Sequence, residues 1–153
     1  MKKFTYKMEN LLMVKLKLED QAKTAYGNAR LRLTKEEEKL QILESNKLAY
    51  ENEVRIQITG KLNILEIKRC EEAVKAVKES IKQQLTVIRN AVQRLEVARI
   101  RLNDAMIERK IQDKLKEKAL IEYMVEFEAE ERKEIDELNS FKYSIPTSSK
   151  EDR

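Results

Sequence analysis

The chain has 153 residues, of which 39% are charged and 5% aromatic, with two glycines, one proline, no tryptophan and no histidine. So few turn-forming residues exclude a multi-stranded topology, and the missing histidine removes both the commonest general base and the commonest transition-metal ligand. The formal net charge of +4 keeps nucleic acid among the partner classes to weigh.

Residues 1–7 read as a basic, aromatic-tipped, frayed lead-in. From about Met8 an apolar track runs through Leu11, Val14, Leu18, Ala22, Ala25, Ala29 and Leu33. Its steps follow an eleven-residue period, close to a straight helix. The track continues through Glu36, Leu40, Leu43, Lys47, Tyr50 and Val54 in heptad steps. Gly27 lies inside this helix and weakens it by roughly 1 kcal/mol relative to alanine.

The pattern breaks over residues 59–63. Gly60 suits the left-handed position that ends a helix, and Asn63 with Glu66 has capping-box spacing. Beyond the break the most regular stripe of the chain begins: Val74, Val77, Ile81, Ile88, Ala91, Leu95, Ala98, Leu102 and Ala105, interrupted only by Gln84. A stripe so narrow requires a second helix to cover it. A short connection between long helices favours antiparallel neighbours, so facing residue numbers add to about 123. Leu18 then meets Ala105, Ala22 meets Leu102, Ala25 meets Ala98 and Ala29 meets Leu95, large mostly against small.

The expected fold is all-α: two long helices in an antiparallel coiled-coil hairpin, with helix two longer and overhanging at its C-terminal end. A rod over residues 1–139 comprises helix one about 8–58, a turn at 59–63 and helix two about 64–139. Met8 lies opposite Leu115, so Tyr123, Val125, Phe127 and Ile135 project from the overhang without a helix-one partner. Residues 140–153, with Pro146 and a polar run, are expected to be a disordered tail.

Charge divides along the chain. Residues 1–33 hold eight Lys/Arg against three acids and 99–118 hold seven against four, whereas 119–139 hold eight acids against two bases. One end of the hairpin is thus basic and followed by an acidic tip. No phosphate-binding glycine loop, zinc-protease helix or paired-cysteine spacing occurs, and Cys70, alone, reads as a small packing residue. Clusters such as Glu36-Glu37-Glu38 point some 100° apart on a helix and do not converge on one site. The expectation is therefore no enzyme, no catalytic or metal-binding residue and no cofactor. Lys110, Lys114 and Lys118 share a face that could meet phosphates, but Glu108, Asp113 and Glu117 interleave and no aromatic platform accompanies them. Nucleic acid is accordingly not expected as a partner. No apolar run approaches a membrane span, and no secretory segment follows Met1-Lys2-Lys3, so a cytoplasmic location is expected.

The opening MKKFTYKMENLLMVKLKLEDQAK and the closing ERKIQDKLKEKALIEYMVEFEAEERKEIDE resemble the two ends of the FliJ family, small coiled-coil proteins of the flagellar type III export apparatus. The resemblance covers about residues 1–138, including the mid-chain break. It implies a hairpin similar to the central stalk of rotary ATPases, inserting into the flagellar export ATPase ring, promoting ring assembly, contacting the export gate FlhA and handling export chaperones. It also implies peripheral association with the flagellar basal body at the inner membrane, through partners. The gate-contacting face, carried over position by position, falls on Lys39, Leu43, Asn46, Tyr50, Ala73, Val77, Ser80 and Gln84. Asn46 and Ala73 replace aromatics of the family, and Leu43, Tyr50 and Val77 also lie on the seam tracks, which leaves seam packing and gate contact both open for them. For the ring, the reading selects Lys15, Lys17, Lys110, Lys114, Lys116 and Lys118, because rows of flexible lysines supply long-range attraction without a locked interface. Two rival readings are the equivalent stalk of a virulence-type secretion system and a self-associating structural coiled coil.

Overall fold

A computed structural model describes residues 2–60 and 63–144, and every regular element among them is helical. Helix α1 spans Glu9–Thr59 and helix α2 spans Ile64–Ser144. They pack against each other antiparallel, as the cross-helix contacts Lys15–Glu108, Glu36–Gln84 and Gln57–Glu66 require.

The helix ends follow local chemistry. Glu9 places a carboxylate in the first turn of α1, where exposed N–H groups favour negative charge. At the other end Gly60 keeps a helical hydrogen bond to Ile56 O at 3.1 Å, and no described glycine has a positive φ. The left-handed stop expected at Gly60 is therefore absent. The Thr59 hydroxyl takes over part of its work by reaching back to Arg55 O (3.0 Å) and Ile56 O (3.1 Å). Lys61 and Leu62, within the expected turn, lie outside the described residues. Asn63 caps α2 as its type predicts, its Oδ1 accepting from Leu65 N–H at 3.2 Å. Glu66 accepts instead from Gln57 Nε2 at 3.0 Å, tying the last turn of α1 to the first of α2.

Helix α2 runs to Ser144, five residues past the expected end. Neither glycine nor proline interrupts residues 139–144, and the first residue disfavoured for helix is the one preceding Pro146. Residues 145–153 of the expected tail lie outside the described residues.

Contacts group into two compact units, Leu18–Met106 and the paired chain ends. In the inner unit the whole predicted α2 stripe, including Gln84, is buried or half-buried. The matching face of α1 is Glu19, Ala22, Tyr26, Ala29, Leu33, Glu36, Leu40 and Leu43, an unbroken heptad. This corrects the eleven-residue track: Leu18 and Ala25 are exposed, so neither Leu18–Ala105 nor Ala25–Ala98 is a seam pair. The cause is the partner. A helix whose neighbour repeats every seven residues must keep that period to hold its side chains in the facing gaps, even where a glutamate goes in and a leucine goes out. Glu19, buried at this position, is paired with Lys23 at 3.4 Å.

In the terminal unit Leu12 is the seam leucine at 4% exposure, while Leu11 at 39% and Val14 lie outside it. Much of the remaining contact is polar: Lys15–Glu108 at 2.8 Å and Lys116–Glu9 at 2.9 Å. The N-terminal segment is not frayed. Tyr6 is buried and donates its hydroxyl to Gln112 Oε1 at 3.0 Å. Phe4 meets Tyr123 at 5.4 Å between ring centroids, and the Tyr123 hydroxyl donates to Lys2 O at 2.7 Å. Because the α2 seam positions continue past the start of α1, aromatic residues of the lead-in fill the place a helix would have taken. Tyr123 and Phe127 are thereby half-buried rather than projecting; Val125 is exposed, and from Glu128 to Tyr143 every residue is exposed, Ile135 among them.

Candidate interaction surfaces

The inner unit holds the residues matched to a gate-contacting face, and the seam sorts them. Leu43, Ala73, Val77 and Gln84 are half-buried against the partner helix, whereas Lys39, Asn46, Tyr50 and Ser80 are exposed. Gln84 is occupied internally: its Nε2 donates to Glu36 O at 2.9 Å and to Glu36 Oε2 at 2.6 Å. Lys39 joins the same cluster through Glu36 Oε1 at 3.5 Å. The Gln84 hydrogen bond, outweighing the opposing effect of burial and helped by Lys39 and Arg32, holds the Glu36 carboxyl below its ordinary 4.5. An outward-facing partner can therefore reach Lys39, Asn46, Tyr50 and Ser80 directly, but Gln84 only through this buried layer.

The basic residues fall in the terminal unit and divide the same way. Lys15 and Lys116 are engaged with Glu108 and Glu9. Lys17, Lys110, Lys114 and Lys118 are exposed and form no ion pair among the described residues. Lys110, Lys114 and Lys118 recur at helical spacing on one face of α2, so their charges can act together on a distant anionic surface.

Other chemistry is sparse. Among the described residues no cluster of acidic or sulfur side chains could hold a metal ion. No described helix is long and apolar enough to cross a membrane. Cys70 is half-buried, and burial first, then the nearby charges of Glu53 and Glu66, push its thiol above the ordinary 9.0. That is the opposite of an activated nucleophile.

A long antiparallel hairpin with a basic face could serve many assemblies, and comparison with known proteins decides between them. The sequence matches the family described as flagellar FliJ protein over residues 4–147. The chain belongs to the FliJ family. FliJ membership makes it a protein associated with type III export and its components in general. In fold it is similar to CT670 of Chlamydia trachomatis, described as a YscO homologue, with a TM-score of 0.70 and 24% identity over 94% of this chain and 97% of that one. No curated protein matches the sequence significantly. Two features of this FliJ-family chain escape a reading by apolar residues alone. One is Glu19, a carboxylate buried on a seam position next to the Leu18 that the apolar track selects. The other is the pair Phe4 and Tyr6, signalled only by the fact that the α2 heptad continues through Ala119 and Tyr123, with Phe127 a further step of four beyond, and no helix opposite.

Proposed function

We propose that this chain is a non-enzymatic stalk of the flagellar type III export apparatus, binding the export ATPase ring at its terminal unit, promoting ring assembly and coupling the ring to the export gate FlhA and to export chaperones. The family match over residues 4–147 carries the reading. Two features support it: outward lysines at 17, 110, 114 and 118 that form no ion pair among the described residues, and an inner unit whose exposed Lys39, Asn46, Tyr50 and Ser80 flank the seam. Stimulation of the ATPase would then be a ligand-like effect on assembly, located in the cytoplasm and peripheral to the basal body at the inner membrane. The test is the ATPase rate of the cognate ring with the wild-type chain and with Lys110, Lys114 and Lys118 changed to Glu. Loss of stimulation is expected, and unchanged stimulation would remove the ring assignment. The likeness in fold to a YscO homologue makes the stalk of a virulence-type secretion system the second reading. Capture of FlhA from lysate, rather than the corresponding virulence gate, separates the two.

A further inference from the structure

We propose that the α2 face carrying Ala119, Tyr123 and Phe127 is a docking surface for an extended basic and aromatic peptide segment of a partner, and that the chain's own N-terminal segment occupies it as a displaceable stand-in. The face continues the α2 seam through Ala119 and Tyr123 and then takes a second step of four to Phe127, yet α1 starts only at Glu9, so this half-buried stripe is left with no helix to cover it. What covers it is non-helical: residues 2–8 form one wall of a cleft whose other wall is Leu115, Lys118, Ala119, Glu122, Tyr123 and Glu126.

The occupant shows which chemistry fits. Phe4 packs on Tyr123 at 5.4 Å, and Tyr123 stacks in turn on Phe127 at 6.2 Å. Tyr123 donates to the Lys2 backbone carbonyl at 2.7 Å, a contact that reads a peptide chain rather than a side chain. Lys2, Lys3 and Lys7 line the cleft with Glu122 and Glu126, inside a stretch of eight acids and two bases, with Lys118 the one cation on the α2 wall. The chemistry that fits is thus an extended backbone with an aromatic ring in it and positive charge near the two carboxylates. A hydrophobic helix would bring no charge to match these carboxylates. The stand-in is held at Phe4, at the Lys2 carbonyl and at the buried Tyr6, and its lysines stay solvated, so a longer segment that matches these contacts and also engages the carboxylates can replace it. This inference does not depend on the export reading.

The experiment uses full-length chain with Phe4→Ser and Tyr6→Ser together, which frees the face while leaving α1 and α2 intact, as unchanged far-ultraviolet circular dichroism checks. The probe is a fluorescent peptide with the sequence of residues 1–7. The released variant is expected to bind it at least about tenfold more tightly than wild type does, with affinity falling as salt rises. Adding Tyr123→Ser is expected to abolish that binding, and a peptide with glutamates for its lysines is expected not to bind. In a second measurement, wild type labelled at its N-terminus is mixed with excess unlabelled peptide, and loss of label anisotropy reports the segment leaving. Equal peptide binding by wild type and variant, indifference to Tyr123, or equal binding of the acidic peptide overturns the proposal. So does a concentration-dependent dimer of the released variant that excludes the peptide, since the occupant would then be a second copy.

Discussion

Changing Leu12 to Ala removes the three carbons beyond Cβ from a side chain that is 4% exposed. At about 0.8 kcal/mol per buried carbon the transfer loss alone is about 2.4 kcal/mol. A cavity would add to this, but a two-helix seam is open at its sides and closes more readily than a globular core, so the expected cost is about 2.5–3 kcal/mol. Leu11, its neighbour, loses the same atoms from a side chain 39% exposed and off the seam. Much of its cover is its own helix, which alanine leaves in place, so the expected cost is under about 0.5 kcal/mol, partly offset by the better helix propensity of alanine. Urea unfolding followed at 222 nm gives both values. Native-state hydrogen exchange of the amides of residues 9–17 reports the same difference where the terminal unit opens by itself. A Leu11→Ala variant that loses as much as Leu12→Ala would refute the heptad phase assigned to α1.

Three further outcomes are expected. Gly27→Ala is expected to stabilise the chain by about 0.5–1 kcal/mol in the same urea assay, because a Cβ built there meets nothing within 4 Å and the helix gains its propensity. The Glu36 carboxyl is held below 4.5 when folded, so the stability it contributes is present above that value and lost as pH falls through its lowered folded value. Melts across pH 5 to 3 are expected to show that loss in wild type and a smaller one in Glu36→Gln. Cys70, with its thiol pushed above 9.0, is expected to react with iodoacetamide at pH 8 more slowly than free cysteine and to speed up on unfolding in urea, followed by mass.

The α2 stripe was readable from the sequence because it contains almost only Val, Ile, Leu and Ala at three- and four-residue steps, and the one exception, Gln84, also sits in the seam. The bend was readable in Asn63, whose side chain caps α2 as its type suggests. The N-terminal half of α1 was not. Counting apolar residues selects Leu11, Val14 and Leu18, while the seam takes Leu12, Lys15 and Glu19, because phase is set by the partner helix and not by the hydrophobicity of one strip. Lys15 and Glu19 are tolerated there because Glu108 and Lys23 pair with them. For the interaction surfaces, residue type located the exposed lysines, but only three-dimensional placement shows that Gln84 is spent on Glu36 and that Lys116 is spent on Glu9.

Among the described residues Tyr6, Leu12 and Ala91 are the buried apolar ones, and many others, such as Leu31, Ile42, Leu48 and Ile56, already stand in solvent. Melting this chain therefore wets little new hydrocarbon, and its heat-capacity increment falls below the about 12–15 cal/mol/K per residue typical of compact domains. Its stability curve is therefore less curved, so the hold between the two helices loosens steadily on heating while unfolding in the cold is pushed to lower temperature.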